Sequence, residues 1–196
     1  VGGLADTTFF QLFFYGLWKV LPMIIVSYVV GLGIEFAVAQ MKGHEINEGF
    51  LVSGLLIPMI MPVEAPLWMV ALSTAFAVII GKEIFGGTGM NIWNPALLAR
   101  AFFFFSYPSM ISGDKVWIAG DTADAISQAT PLAQMALGQP LTYSTADMFW
   151  GFIPGSVGET SAFCILIGAV ILLLTNVASW RTMISVFVGG YLMALI

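Results

Sequence analysis

A short polar stretch that ends in threonine offers the clearest chemistry in this chain. Asp124 opens the stretch, Ser127 lies within it, and Thr130 closes it directly before Pro131. Threonine followed by proline predicts a helix start, with Thr130 as the N-cap and Pro131 in the first turn. The free N–H groups and the dipole of a helix start also favour negative charge, so a phosphoester on the Thr130 hydroxyl would be stabilised there.

A glycine-rich segment could also bind a ligand. Gly87 and Gly89 permit positive φ and close backbone approach, and Asn91 and Asn94 follow them. Asn94 precedes Pro95 and can cap the helix that begins there. Both amides can also donate and accept hydrogen bonds to a ring. The segment is therefore either a tight turn between helices or one wall of a binding site.

Two residues inside apolar runs indicate an ion path. Glu35 is an acid within a long apolar segment, where an ionisable side chain is a functional candidate unless it lies at the membrane surface. Pro58 interrupts the apolar segment 48–61, which is too short to cross a membrane comfortably. A half-helix or kink is expected there, because proline removes an amide donor and frees a carbonyl that can coordinate an ion. The alternative for Pro58 is a simple kink.

The composition excludes most soluble proteins. Of 196 residues, 59% are hydrophobic and only 9% are charged, against about 25% in a soluble domain. A disordered chain, a nucleic-acid binder and an ordinary soluble enzyme are therefore excluded. Long apolar runs predict helices, since a helix satisfies its own backbone in lipid. One cysteine and one histidine give no disulfide and no histidine-rich metal centre, so we predict no resident metal site.

The positions of the apolar runs predict an all-α, polytopic membrane protein with one domain over residues 1–196. Helical segments are expected at 9–39, 48–61, 67–80, 95–105, 160–177 and 183–196. A polar stretch, 106–148, separates them and holds a short helix at 131–137, and Ser156 with Glu159 fits a capping box. The chain begins with Val1 and stops within an apolar run, so we expect a piece of a longer protein. If the segment 48–61 crosses the membrane, one side holds Lys42, Lys82, Arg100 and Arg181 and is cytoplasmic; a re-entrant segment would reverse the first helix.

Several segments resemble a known family of membrane redox subunits. The stretch from Asp124 to Thr130 resembles a motif on which a flavin transferase attaches FMN to the threonine. The family is that of the NqrB subunits of sodium-translocating NADH:quinone oxidoreductases (Na⁺-NQR), with the related RnfD subunits of Rnf complexes. The segments that carry this resemblance, in matching order and spacing, are 43–50, 82–97, 107–114, 153–159 and 178–181.

The resemblance implies two flavins. FMN would be held by a phosphoester on Thr130, with Asp124 and Ser127 as part of that site. A non-covalent riboflavin would lie near Asn91 and Asn94, against the backbone of the two glycines Gly87 and Gly89. The stretch 106–148 would then be an external, periplasmic loop that bears the covalent flavin.

The resemblance further implies an inverted-repeat bundle with broken half-helices in the bacterial inner membrane. It would work with other subunits of a respiratory pump that passes electrons to ubiquinone and moves Na⁺. Glu35, together with Gly31, would belong to the region of sodium uptake and quinone access, with the ion path near Pro58.

Two alternatives remain open at the level of sequence. The residues from Ser127 to Pro131 are more similar to the RnfD subunits, which are electron-transfer proteins with ferredoxin as donor. The segments 43–50 and 178–181 are more similar to the NqrB subunits. The second alternative is a passive channel or transporter in which the flavin motif is accidental. Flavin fluorescence that survives denaturing electrophoresis would exclude the second.

Overall fold

The computed structural model describes residues 8–43, 48–63, 65–111, 131–153, 155–158 and 160–195, and within these ranges it is helical without an extended β-strand. The predicted helical class is confirmed for this part of the chain. A 3₁₀ turn, Glu83–Phe85, follows α3. The helices are α1 Phe9–Lys42, α2 Phe50–Met59, α3 Leu67–Gly81, α4 Pro95–Ser106, α5 Pro108–Ile111, α6 Pro131–Ala136, α7 Thr145–Trp150, α8 Ala162–Leu174 and α9 Trp180–Ala194.

The first helix is long, and local interactions cap both of its ends. Thr8 and Gln11 form a capping box, in which the Thr8 backbone N–H donates to Gln11 Oε1 at 3.0 Å. At the other end Gly43 adopts φ 67°, the left-handed conformation that ends many helices. The 34 residues of α1 span about 51 Å, more than the ~30 Å core of a bilayer. The helix passes its predicted end, residue 39, because no capping residue occurs before Gly43.

The second helix is short, as its proline predicted. Its 10 residues span about 15 Å, half of the ~30 Å core of a bilayer. Pro58 lies in its last turn and is buried. Pro62 and Pro66 flank the break that follows, and α3 begins at Leu67. The expectation of a half-helix in this region is therefore confirmed.

Helices α1 and α3 run parallel, with their C-terminal ends together. Glu35 of α1 contacts Lys82, the residue that ends α3, and Lys42 at the end of α1 contacts Glu83. Because α2 lies between them in the chain and is packed on α1, it returns in the opposite direction. The C-terminal ends of α1 and α3 and the N-terminal end of α2 therefore lie on the same side of the bundle.

The fourth helix runs antiparallel to α3. Gly81 at the end of α3 lies beside Leu98 near the start of α4, and Phe76 stacks on Phe102 with ring centroids 4.3 Å apart. The chain therefore leaves α4, at Ser106, on the side opposite to the C-terminal ends of α1 and α3. The polar stretch that begins at residue 106 starts from that opposite side.

The buried core lies among the first four helices. Small residues on α3 and α4 let these helices approach closely, and larger side chains from α1 and α2 fill the remaining space. The most buried apolar residues are Met23, Phe50, Ile57, Met61, Val70, Ala77, Val78, Ala96, Ala99 and Phe103.

Large apolar side chains cover the outside of the described helices, especially α1, α8 and α9. Two helical segments, Phe13–Lys42 and Leu67–Phe85, are long and apolar enough to cross a membrane. The helices α2, α4 and α8 are apolar too but shorter. Lipid would cover this surface, because so much exposed apolar area is otherwise confined to interfaces.

The caps of the later helices correct one prediction. Helix α8 is capped by Ser161, whose hydroxyl accepts from the Cys164 backbone N–H at 3.3 Å. The predicted cap at Ser156 is wrong, since residues 157–158 form a turn; Glu159 lies outside the described residues. The turn contacts α2 instead: the Gly158 N–H donates to the Met59 carbonyl at 3.1 Å.

We predict that Gly31→Ala destabilises the docking of α2 on α1. A Cβ on Gly31 would overlap the Phe50 ring, and overpacking of this kind costs about 1–3 kcal/mol. The measurement is the free energy of unfolding of the full-length protein in mixed micelles. Gly33→Ala is the matched control, because its Cβ meets no described atom within 4 Å. Equal effects of the two substitutions would contradict the packing described here.

Candidate functional site

A buried ion pair joins α1 to α3. Lys82 Nζ donates to Glu35 Oε1, and only 5% of each side chain is exposed. Glu35 was predicted as a functional acid because charge is costly inside an apolar segment. The structure supplies the counter-charge from Lys82 of this same chain. Since removal of one partner leaves an uncompensated buried charge, each residue fixes the other.

The Phe50 ring packs beside this pair. It is fully buried, it lies against Gly31 of α1, and its centroid is 5.8 Å from Lys82 Nζ. An ammonium over an aromatic face is attracted by the ring quadrupole. Gly31 is required because its missing Cβ leaves the space that the ring occupies. Glu35, Lys82, Phe50 and Gly31 therefore form one packed unit.

A second, more exposed pair lies next to the first. Lys42 Nζ is 3.8 Å from Glu83 Oε2 and donates to the Glu83 carbonyl at 2.8 Å. We call Glu35, Lys42, Lys82 and Glu83 the charge cluster. Its two carboxylates and two ammonium groups sum to zero. Its two lysines lie at the C-terminal ends of α1 and α3, where the helix dipoles attract cations.

Both α1 and α3 also carry buried hydroxyl groups. Ser27 and Thr74 are fully buried, and neither hydroxyl has a hydrogen-bond partner among the described residues; the same holds for Ser73. Ser27 precedes Glu35, and Thr74 precedes Lys82, by about two helical turns or roughly 12 Å. Because α1 and α3 are parallel, Ser27 and Thr74 lie at a similar level, nearer than the ion pair to the N-terminal ends of these helices.

Two groups from other parts of the chain, Arg100 and Gly158, hold the C-terminal end of α2. Arg100 Nη1 donates to the Ile60 carbonyl, and Gly158 donates to that of Met59. Arg100 lies half-buried within α4, where the C-terminal carbonyls of α2 attract its charge. The Pro58 carbonyl accepts from the Met61 N–H at 3.4 Å. An ion path near Pro58 stays a prediction.

The glycine-rich segment adopts the turn that its residues predict. Gly87 and Gly89 have φ 96° and 87°, and no described atom lies within 4 Å of a Cβ built on either. Asn94 Oδ1 accepts from the Ala96 N–H at 2.9 Å and so caps α4. Asn91 Nδ2 donates to the Trp93 carbonyl at 2.9 Å. The cap is confirmed, and the open backbone leaves room for a ligand.

The same segment is joined to the charge cluster. The Gly87 N–H donates to the Lys82 carbonyl at 3.0 Å, and the Thr88 side chain packs on Gly49, the residue before Phe50. Phe85 meets Trp93 edge to face at 5.6 Å. A ligand bound at this segment would therefore lie one short turn from the Glu35–Lys82 pair.

The three residues of the flavinylation motif, Asp124, Ser127 and Thr130, lie outside the described residues. The short helix expected after them is confirmed, since α6 begins at Pro131 and ends at Ala136. Where the structure describes the chain, no group of three or more His, Cys, Asp or Glu side chains is arranged to hold a metal ion.

Sequence reasoning missed two members of the buried unit. Lys82 was used to orient the helices and, like Phe50, belonged to a segment of the family resemblance, but neither was predicted to contact Glu35. One signal could have found Lys82: it directly follows the apolar run 67–80, and a buried acid needs a counter-charge. No pattern along the chain indicates that the Phe50 ring fits over Gly31.

Comparison with known proteins gives one consistent family. The profile described as "NQR2, RnfD, RnfE family" matches residues 2–196. The NqrB subunit of the Na(+)-translocating NADH-quinone reductase of Chromohalobacter salexigens is 52% identical over 187 residues, which cover 94% of this chain and 45% of the relative. The protein of the same name from Yersinia pestis is 48% identical over 180 residues, 86% of this chain and 42% of the relative. The chain thus spans less than half the length of these relatives.

We predict strong coupling between Glu35 and Lys82 in a double-mutant cycle. Lys82→Met alone should lower the free energy of unfolding by about 3–5 kcal/mol, because it leaves a buried carboxylate unpaired. Adding Glu35→Gln should recover most of that loss. The matched cycle, Lys42→Met with Glu83→Gln, should show coupling of at most about 1 kcal/mol, as for a partly exposed pair. Additive effects at Glu35 and Lys82 would contradict the pairing.

Proposed function

The chain belongs to the NQR2, RnfD, RnfE family, and from this premise we propose that it is part of the NqrB subunit of a sodium-pumping NADH:quinone oxidoreductase. The observation that carries the proposal is 52% identity over 94% of the chain to a protein of that name. The whole protein would act with other subunits of a membrane complex, pass electrons towards ubiquinone and couple this transfer to Na⁺ movement. The NADH site would belong to another subunit.

The proposed setting is the bacterial inner membrane, crossed several times by an inverted-repeat bundle. Lys42 and Lys82 lie at one common end of α1 and α3, which supports a cytoplasmic location for that end. Helix α4 returns to the opposite side, so the stretch 106–148 would be periplasmic. The broken helix α2 supports the inverted-repeat design, in which discontinuous helices frame ion sites.

We assign the covalent FMN to Thr130, with Asp124 read by the flavin transferase and Ser127 as part of the same site. The support is the seven-residue motif and the helix that begins at Pro131. A phosphoester needs no acid–base side chain, and the redox chemistry is that of the flavin itself. The residues of this chain would supply its position and its electrostatic surroundings.

We assign the non-covalent riboflavin to the glycine-rich segment. Support comes from the open backbone at Gly87 and Gly89 and from exposed apolar side chains beside it, Ile92 and Trp93. Asn94 already uses its carbonyl oxygen as a cap, so its Nδ2 would face the ring. Asn91 would add a second amide.

Glu35 is the residue we assign to sodium or quinone handling. Its burial and its pairing with Lys82 support this role, because a charge kept inside packed helices carries an energetic cost. The Rnf relative is a second candidate, supported by the breadth of the matching family. A complex that accepts electrons from ferredoxin and not from NADH would favour it.

Thr130→Val should abolish the flavin fluorescence of this protein after denaturing electrophoresis, because valine has no hydroxyl for the phosphoester. Thr130→Ser keeps a hydroxyl and should retain partial fluorescence. Asp124→Ala should reduce loading while the protein still inserts into the membrane. Fluorescence of wild-type strength in Thr130→Val would show that the attachment site is elsewhere, and its absence from the wild type would favour a passive transporter.

Asn94→Asp should lower the riboflavin that can be extracted from the purified complex and leave the covalent FMN unchanged. The aspartate keeps an oxygen to cap α4 and loses the amide donor. Asn91→Leu should have the same effect, whereas Asn94→Leu would also remove the cap and cost about 0.5–2 kcal/mol of stability. Unchanged riboflavin in the Asn91→Leu, Asn94→Asp double variant would make the segment purely structural.

A further inference from the structure

We propose that Lys82 is a built-in competitor for sodium at Glu35: the Lys82 ammonium occupies the cation position of that carboxylate, and a sodium ion binds there by displacing it. This inference rests on the proposed function, because it takes the transported ion from the relatives. It adds a residue, Lys82, and a mechanism of exchange that the proposed function does not contain.

The position of the ammonium carries the argument. Lys82 Nζ donates to Glu35 Oε1 in a buried setting, so a monovalent cation is already bound at the acid. A second cation of equal charge would have to share a single carboxylate with it. Repulsion between two unscreened positive charges makes that arrangement unfavourable. Sodium can therefore bind at Glu35 only as the ammonium leaves.

The charge cluster gives the ammonium another place to go. Glu83 follows Lys82 directly in the chain, and its largely buried carboxylate already faces one cation, Lys42. The Lys42 side chain is 44% exposed and its Nζ lies 3.8 Å from the Glu83 carboxylate, because its short hydrogen bond goes to the Glu83 carbonyl. Lys82 can thus exchange Glu35 for Glu83 and keep its charge near a carboxylate. The cluster then gains one positive charge, that of the sodium ion.

The surroundings keep a cation at Glu35, so that the Lys82 ammonium is exchanged for sodium and not simply lost. Lys82 follows the last residue of α3, and the dipole of that helix attracts positive charge at its C-terminal end. The Phe50 ring, 5.8 Å from Lys82 Nζ, favours a cation on the side of Glu35. The Lys82 carbonyl accepts from the Gly87 N–H, so the backbone of Lys82 stays fixed and only its side chain moves.

The test uses two substitutions at Lys82 with opposite expected effects. In the assembled complex with the full-length protein, the sodium concentration for half-maximal quinone reduction is measured at constant ionic strength. Lys82→Met removes the competitor and should lower this concentration about tenfold, the change that about 1.4 kcal/mol produces. Lys82→Arg should raise it, because a guanidinium holds a carboxylate by two hydrogen bonds. Lys19→Met is the control for lost charge, because Lys19 is exposed and lies on α1, the helix that carries Glu35.

A second measurement does not need activity. The thermal stability of each purified complex is compared in sodium and in choline. Sodium should stabilise Lys82→Met more than the wild type, because a ligand that binds the folded state adds to its stability. The double variant Glu35→Gln, Lys82→Met should lose this sodium effect.

The outcomes separate the inference from the proposed function. A wild-type complex without sodium-dependent quinone reduction contradicts the proposed function, and the thermal measurement then decides the inference alone. The inference is overturned if the sodium concentration for half-maximal quinone reduction is unchanged or raised in Lys82→Met. It is also overturned if this concentration shifts in the same direction in Lys82→Met and Lys82→Arg. If Lys82→Met does not assemble in either salt, Lys82→Arg decides: an unchanged or lower requirement overturns the inference.

Discussion

A carboxylate buried between two helices is the constraint on which this structure depends. An ionised Glu35 needs a counter-charge between α1 and α3, and Lys82 provides it. That contact fixes the parallel register of the two helices, and α2, which connects them along the chain and packs on α1, runs in the opposite direction. The Phe50 ring then fits over Gly31, beside the ammonium. A substitution at any one of these four residues therefore changes the packing or the charge around the other three.

The register has a consequence for chemistry. The 3₁₀ turn Glu83–Phe85 and the glycine-rich segment come directly after Lys82, and the segment bonds back to the Lys82 carbonyl. The proposed riboflavin site and the proposed cation site are thus consecutive in the chain and adjacent in space. A change of charge at one site would be felt at the other through this short turn, since electrostatic interactions are weakly screened away from water. Such proximity is what coupling between electron transfer and ion binding requires.

The sequence predicted what depends on local chemistry. Pro95 after Asn94 marked the start of α4, Pro58 marked the short α2, and the apolar runs marked the long helices. It did not predict what depends on register between helices. Lys82 lies far from Glu35 along the chain, and only the packing of α3 on α1 brings them together. Gly158 shows the same limit: its segment fits a capping box locally, yet it packs on α2.

The most direct test of this account is the ionisation state of Glu35 in the intact complex, measured by infrared difference spectroscopy between the wild type and Glu35→Gln. If Lys82 is the counter-ion, the wild type has an ionised carboxylate band that is lost in Glu35→Gln. In Lys82→Met without sodium, the band of a protonated carboxyl should replace it. A protonated carboxyl band for Glu35 in the wild type would contradict the ion pair, and with it the register and the cation exchange that follow from it.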